Sequence, residues 1–183
     1  MSKLLIIDTE TGGLDPITHS ILSLGVVVLN DKEIEDATEW LIIEPTIHVT
    51  VDAMAINKIS LDQLAQYGKL AETVVQELED WLSFYFGSDK ITLGGQNTYF
   101  DAGFLKRLYM FAPKYSFNNR YSYRLIDTAS LAWFLISTGK LQVENYSLTT
   151  LFKHFNLEPP VAHTALGDAF ATANLLIKLK ELV

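Results

Sequence analysis

Leu4-Leu5-Ile6-Ile7-Asp8-Thr9-Glu10-Thr11-Gly12-Gly13 decides how the rest of this chain is read. The run from Lys3 to Asp8 is too short for a helix and is stopped by Thr11-Gly12-Gly13, so it predicts a buried strand that ends in a turn. Ile21 to Leu29 predicts a second strand. Asn30-Asp31 marks a turn, and Thr38 to Ile43, stopped by Pro45, supplies a third strand antiparallel to the second. After Pro45 the period changes from two to the helical value, first around Asp52 to Asn57 and then from Ser60. Leu70, Val74, Leu78, Trp81, Leu82 and Tyr85 then form the core-facing stripe of a helix ending near Phe86. Lys90 to Gly95 predicts a short strand and Phe100 to Phe111 a helix. Asp127 and Ser147 cap two more, and Ala165 to Leu182 is a long final helix. This order predicts one α/β domain over residues 1–183 with a mixed sheet.

Composition bounds the function. The 183 residues are 49% hydrophobic, contain no cysteine and carry a formal charge of −8. Without cysteine there is no disulfide framework, thiolate nucleophile, iron–sulfur cluster or Cys-ligated zinc. No apolar run approaches the roughly 20 residues of a membrane span, and no signal peptide precedes the first strand. The expectation is a soluble, cytoplasmic protein with no membrane partner. The acidic balance argues against coating nucleic acid by phosphate neutralisation, which needs excess Lys and Arg. It leaves room for a nuclease whose acids hold metal ions.

Alternation along a strand puts Asp8 and Glu10 on one face, about 7 Å apart at 3.3 Å per residue. Paired anions in a sheet repel and lose hydration, which a cation would offset. Taken alone, the pair is also a polar strand end entering a turn. Asp101 follows Gly94-Gly95-Gln96-Asn97-Thr98-Tyr99-Phe100, in the first turn of a helix, where a carboxylate is favourable on dipole grounds alone. Asn97 is readable as a turn former or cap. His163 and Asp168 would lie about 140° apart within one helix. If Pro159, Pro160 and Ala162 hold His163 in the preceding loop, its ring can fold back toward Asp168, although a lone histidine there also reads as a cap or surface residue. Combined, four carboxylates and one histidine match two-metal phosphoryl hydrolysis. Two Mg²⁺ or Mn²⁺ ions about 3.5–4 Å apart polarise the phosphate and serve the attacking and leaving oxygens. Hard cations want the oxygen ligands Asp and Glu supply, and a histidine can take the proton from water near neutral pH.

Asp8-Thr9-Glu10-Thr11-Gly12-Gly13-Leu14, Gln96-Asn97-Thr98-Tyr99-Phe100-Asp101 and His163-Thr164-Ala165-Leu166-Gly167-Asp168-Ala169 resemble, in order and spacing, the three motifs of the DEDDh (DnaQ-like) 3′–5′ exonucleases. The resemblance implies a ribonuclease H-like α/β fold, a mixed five-stranded sheet flanked by helices. It implies two divalent ions held by Asp8, Glu10, Asp101 and Asp168, with His163 as general base. It also implies that Leu14 wedges against the terminal base, that Thr11 approaches the terminal sugar, and that Met54 and Asn57 lie on a helix beside that nucleotide, with Asn97 also on the substrate side. Two positions depart from the pattern: Gln96 stands where His is common, and Gly12 where Thr is common.

From Ala102 to Ile126 there is no acidic residue, while Lys106, Arg107, Lys114, Arg120 and Arg124 are interleaved with aromatic residues, a pattern suited to a single strand. Phe104, Leu105 and Leu108 read as core. Tyr115, Phe117, Tyr121 and Tyr123 read as loop residues open to a ligand or a second copy, so a homodimer is allowed. Asp127 reads as a helix cap rather than a metal ligand. The expected function is metal-dependent hydrolysis of single-stranded DNA or RNA from the 3′ end to nucleoside 5′-monophosphates. The alternatives are an RNA-processing enzyme resembling ribonuclease T or oligoribonuclease, and a non-catalytic nucleic-acid-binding module. A carboxylate-pair glycoside hydrolase would leave His163 and two acids unexplained. A polymerase partner is allowed, and ranks behind a free-standing enzyme because the last predicted helix runs to the end of the sequence.

Overall fold

A computed structural model of the chain describes residues 3–57, 59–157 and 164–183. Its sheet begins with β1 (Leu4–Thr11), β2 (Ile21–Asn30) and β3 (Glu33–Ile43), an antiparallel meander. β2 is buried on both faces, which explains its nearly unbroken apolar run. Two short helices follow, α1 (Val51–Asn57) and α2 (Leu61–Tyr67). Ser60 and Gln63 close a reciprocal capping box at the start of α2, so the helical pattern resumes at Ser60 for a specific reason.

Next come β4 (Lys69–Leu70), α3 (Ala71–Phe86), β5 (Ile91–Gly95) and α4 (Thr98–Tyr109). The described chain continues with α5 (Phe117–Arg120), β6 (Tyr121–Asp127), α6 (Thr128–Ser137), α7 (Leu148–Phe155) and α8 (Ala165–Lys180). The strand order is β4-β3-β2-β1-β5-β6, with β5 parallel to β1 and β6 parallel to β5. The sheet therefore has six strands, not five. The strands with no counterpart in the sequence reading are β6 and β4, where Lys69 and Leu70 pair with Ile42 and Ile43. Two exposed residues carry no periodicity to read.

Each face of the sheet has its own core. Leu5 and Ile7 of β1 face α3 and α4, packing with Val74, Leu78, Phe104 and Leu108. Ile6 faces the opposite way and packs with Val27, Ala169, Ala173 and Leu176 under α8. A third cluster joins α6 and α7 to α8. β1 thus sends alternate residues to two helical layers, and its polar end inherits that alternation.

The stretch over residues 115–123 corrects the loop reading. Tyr121 is 2% exposed at the start of β6, and Tyr115 and Phe117 pack against the α3–α4 core. Tyr121 and Tyr109 share a hydrogen bond of 3.0 Å between their hydroxyls, and Tyr109 also donates to Glu79. Only Tyr123 of the four is open, at 82%. Arg107 and Arg120 are committed to ion pairs with Glu44 and Glu79. A continuous basic–aromatic track therefore does not survive folding. Asp127 is the cap read from the sequence: it accepts from the Ser130 amide at 2.8 Å and also from the Thr98 amide at 3.0 Å, so one carboxylate serves the starts of α6 and α4.

Candidate active site

Asp8 and Glu10 occupy the end of β1 on the face covered by α8, and Asp168 lies in the first turn of α8. One carboxylate oxygen from each of the three lies within 4.8 Å of the others. Gly25 permits that approach. It pairs with Asp8 across β1 and β2, and a Cβ on it would fall 2.2 Å from the Ala165 carbonyl carbon and 2.3 Å from the Leu166 nitrogen. Any side chain there would lift the start of α8, and Asp168 with it, off the sheet. Thr164 fixes that start by accepting from the Gly167 amide at 3.0 Å.

Asp101 arrives from the other layer. Thr9 points away from its two acidic neighbours, and its hydroxyl donates to Asp101 Oδ1 at 2.7 Å. Asp101 is only 4% exposed. Its helix starts at Asn97, whose left-handed backbone (φ 54°) turns the chain from β5 into α4 without a side-chain cap. Register between β1 and β2 slips at Glu10/Thr11, a bulge of the kind that re-aims side chains beside sites.

The electrostatics of Asp8, Glu10 and Asp101 are those of crowded carboxylates, none of them ion-paired with a Lys or Arg among the described residues. Burial lifts the Asp8 carboxyl well above the usual range, and the charges of Asp101, Asp168, Glu10 and Glu39 lift it further. Burial, then Asp168, Glu39 and Asp101, push Glu10 up to about 7. Asp101 also rises to about 7, burial outweighing the hydrogen bonds from Thr9 that pull it down. Glu39 went unnoticed in the sequence. It sits on β3 opposite Gly25, which sits opposite Asp8, so only a glycine separates two acids on one face. Its carboxylate accepts from the Ser23 hydroxyl at 2.6 Å. Crowded, half-desolvated carboxylates with oxygen donors only fit a hard divalent cation.

Beside the acids opens a cleft of about 490 Å³, bounded by Glu10, Thr11 and Leu14, by Ala53, Ile56 and Asn57 of α1, and by His19 and Phe100. Leu14, 84% exposed, is free to meet a ligand. Thr11 donates its hydroxyl to the Gly13 carbonyl at 2.7 Å, and Asn57 donates to the Thr11 carbonyl at 3.0 Å, bracing the end of β1. Met54 is not among the cleft residues; α1 presents Ala53 and Ile56 there instead. Asn97 lines a separate groove with Trp133, Phe134 and Tyr146. His163 lies outside the described residues. His19 and Ile56 gave no sequence signal, because a loop residue and an exposed isoleucine carry no pattern.

The two departures from the motif pattern have local causes. A Cβ on Gly12 would fall 2.2 Å from the His48 carbonyl oxygen, where Gly12 pairs with Ser20 and Thr50. Gln96 accepts from the Thr128 hydroxyl at 2.5 Å and donates to the Tyr146 carbonyl at 3.3 Å, tying the end of β5 to α6 and the loop beyond it.

A mixed sheet with helices on both faces thus carries acids gathered at the end of its central strand. The chain belongs to the RNase_T family, described as Exonuclease, which it matches over residues 5–176. It is similar, at 29% identity over 177 residues, to the DNA polymerase III PolC-type of Oceanobacillus iheyensis, a match covering 97% of this chain and 11% of that protein. The chain thus spans about a tenth of the length of the curated relatives it matches. Among solved structures it resembles the zinc-bound E. coli ExoI–ssDNA complex, with a TM-score of 0.80 at 16% identity over 99% of this chain and 41% of that one. It also resembles the nuclease domain of 3′hExo, a DEDDh family member bound to rAMP, with a TM-score of 0.75 at 18% identity over 98% and 92% of the two chains. These two likenesses are of fold.

Proposed function

We propose that the protein is a metal-dependent 3′–5′ exonuclease that hydrolyses single-stranded nucleic acid to nucleoside 5′-monophosphates. The observation that carries this reading is the grouping of Asp8, Glu10 and Asp168 within 4.8 Å at the edge of an open cleft. Asp8, Glu10, Asp101 and Asp168 would hold two Mg²⁺ or Mn²⁺ ions, which when bound supply Lewis acidity at the scissile phosphate and lower the pKa of the attacking water. The carboxylates bind cations only when ionised, so their raised proton affinity makes protons and metal compete up to about pH 7. Thr9 keeps Asp101 oriented from the opposite layer. His163 takes the proton from the attacking water. Leu14 and Ile56 offer apolar surface to the terminal base, and Thr11, braced by Asn57, offers its backbone and methyl group beside the sugar.

The test is a gel time course with 5′-labelled single-stranded DNA and matched RNA, each with Mg²⁺, Mn²⁺ or EDTA, and with Asp8→Ala as control. A ladder shortening from the 3′ end, lost with EDTA and in the variant, is expected. An intact strand in every metal, with the 3′ end bound, would replace this reading by a binding module. Preference for RNA would favour the processing reading. A second reading, action beside a DNA polymerase, is supported by the PolC-type relative at 29% identity. Co-elution of the chain with a bacterial replicative polymerase tests it.

A further inference from the structure

The loop over residues 12–20, which carries Leu14, is fastened to α4 by an ion pair between Glu44 and Arg107. Glu44, directly after β3, has a fully enclosed side chain. Arg107, six residues beyond Asp101 on α4, grips both of its oxygens, through Nε at 2.8 Å and Nη2 at 2.7 Å. The third nitrogen of the fork, Nη1, donates to the carbonyls of Pro16 at 3.2 Å and Ile17 at 2.9 Å. Glu44 in turn accepts from the Ser20 hydroxyl at 2.7 Å and the Ile21 amide at 3.2 Å. Ser20 Oγ also accepts from the His48 amide at 2.9 Å, so the segment leading to α1 is tied to the same point. Packing supports the seam, since a Cβ on Gly103 of α4 would already touch Pro16 at 3.2 Å.

Three carbonyl or hydroxyl partners of this pair lie in one loop, and none is needed to neutralise charge. A guanidinium and a carboxylate satisfy each other's charge with two bonds; the remaining bonds all reach the loop or its ends. The loop forms one wall of the cleft, and α4, which also carries Asp101, contributes Phe100 to another. We propose that Glu44 and Arg107 are positioning residues for the terminal nucleotide, holding the Leu14 wall at a fixed place relative to the α4 wall. This rests on the exonuclease reading above. The pair touches neither substrate nor metal ligand, and acts only through the loop.

Rigid placement of a wall should appear in substrate affinity rather than in chemistry. Two variants test it: Arg107→Lys, which keeps the charge and loses the fork, and the double change Glu44→Leu with Arg107→Met, which removes both charges and leaves no buried ion unpaired. KM for a 5′-labelled single-stranded oligonucleotide should rise about tenfold in the double variant and less in Arg107→Lys, with kcat within about twofold of wild type. Mn²⁺ affinity, read by electron paramagnetic resonance without substrate, should be unchanged. Amide exchange over residues 13–19 should quicken while α3 and α8 stay protected. An unchanged KM in folded variants overturns the inference and leaves a purely structural pair. Weakened Mn²⁺ binding with lowered kcat also overturns it, by showing that the pair acts through the metal site. If the wild-type protein leaves the strand intact, the exonuclease reading fails and this inference falls with it.

Discussion

Glu44 and the Asp8–Glu10–Asp168 group are both acids set into the fold, and they differ in what faces them. Glu44 meets a guanidinium, a hydroxyl and an amide, each within hydrogen-bond distance. Asp8 and Glu10 meet other carboxylates, and among the described residues neither is ion-paired with a Lys or Arg. Their proton affinities rise accordingly. A protein of this size can afford crowded like charges only where something outside the chain relieves them, whereas an internally matched pair is a fixture of the fold. The difference teaches which acid is architecture and which is chemistry: the matched acid is sealed from solvent, and the crowded ones stay partly open.

The sharpest way to break that distinction is to remove one acid from each region. Asp8→Asn should lower the turnover rate by about 10⁴-fold, as loss of a member of a concerted catalytic group does, while the metal-free protein at pH 8 melts no lower than wild type. Single-turnover assays and thermal melts by circular dichroism check the two halves. His163→Ala should lower the rate at neutral pH by about 10² to 10⁴, with partial recovery in alkali where hydroxide replaces the base; an unchanged pH–rate profile removes His163 from the mechanism. Glu44→Ala should do the opposite of Asp8→Asn: it strands Arg107, and the unfolding free energy should fall by roughly 3–5 kcal/mol in urea titrations. Equal stability changes at Asp8 and Glu44 would erase the comparison.

Acidity sharpens it further. Glu10 has an ordinary value of 4.5 and is raised to about 7 in the folded chain. Between those values the folded state holds a proton that the unfolded state has released, so this contribution to stability is fully present below pH 4.5 and is lost as pH rises through 7. Asp8 and Asp101 act with the same sign. The metal-free protein should therefore melt at progressively lower temperature between pH 5 and pH 8, and millimolar Mg²⁺ should restore most of the loss at pH 8 but little at pH 5. A melting temperature that rises over this range would contradict the crowding. The smallest effect is expected at Leu14→Ala, within about 0.5 kcal/mol in stability because the side chain is exposed, with its consequence confined to KM for the oligonucleotide.

How much of this was legible in the sequence varies with the kind of signal. The meander of β1 to β3 and the helices α3, α4, α6, α7 and α8 were readable because each has a period or a cap: the stripe from Val74 to Tyr85, the Asp127 and Ser147 caps, the stop at Pro45; Leu70, read as the start of that stripe, instead lies in β4 and is 63% exposed. β4 was not, since a two-residue rung has no period. Tyr115, Phe117 and Tyr121 were misplaced because aromatic residues interleaved with Arg and Lys look alike whether the rings face a nucleic acid or a core. Three-dimensional packing put these three rings inward and left Tyr123 outside. The acids of the site were readable from three motifs, yet the part played by Gly25 was not, because a glycine announces nothing about the helix that will lie on it.

The sequence by itself determined the strand that carries Asp8 and Glu10, the acids' identities and their order along the chain, because these follow from local alternation and residue chemistry. Only the tertiary structure decided that Asp168 lies against β1 while Asp101 reaches it from the opposite layer, that Glu39 joins the same face two strands away, and that Arg107 is spent on Glu44 and a loop instead of a phosphate. Those outcomes depend on register between strands and on which helix covers which face. Pairing across 17 to 160 residues of chain is set by the packing of whole layers, and no local pattern records it.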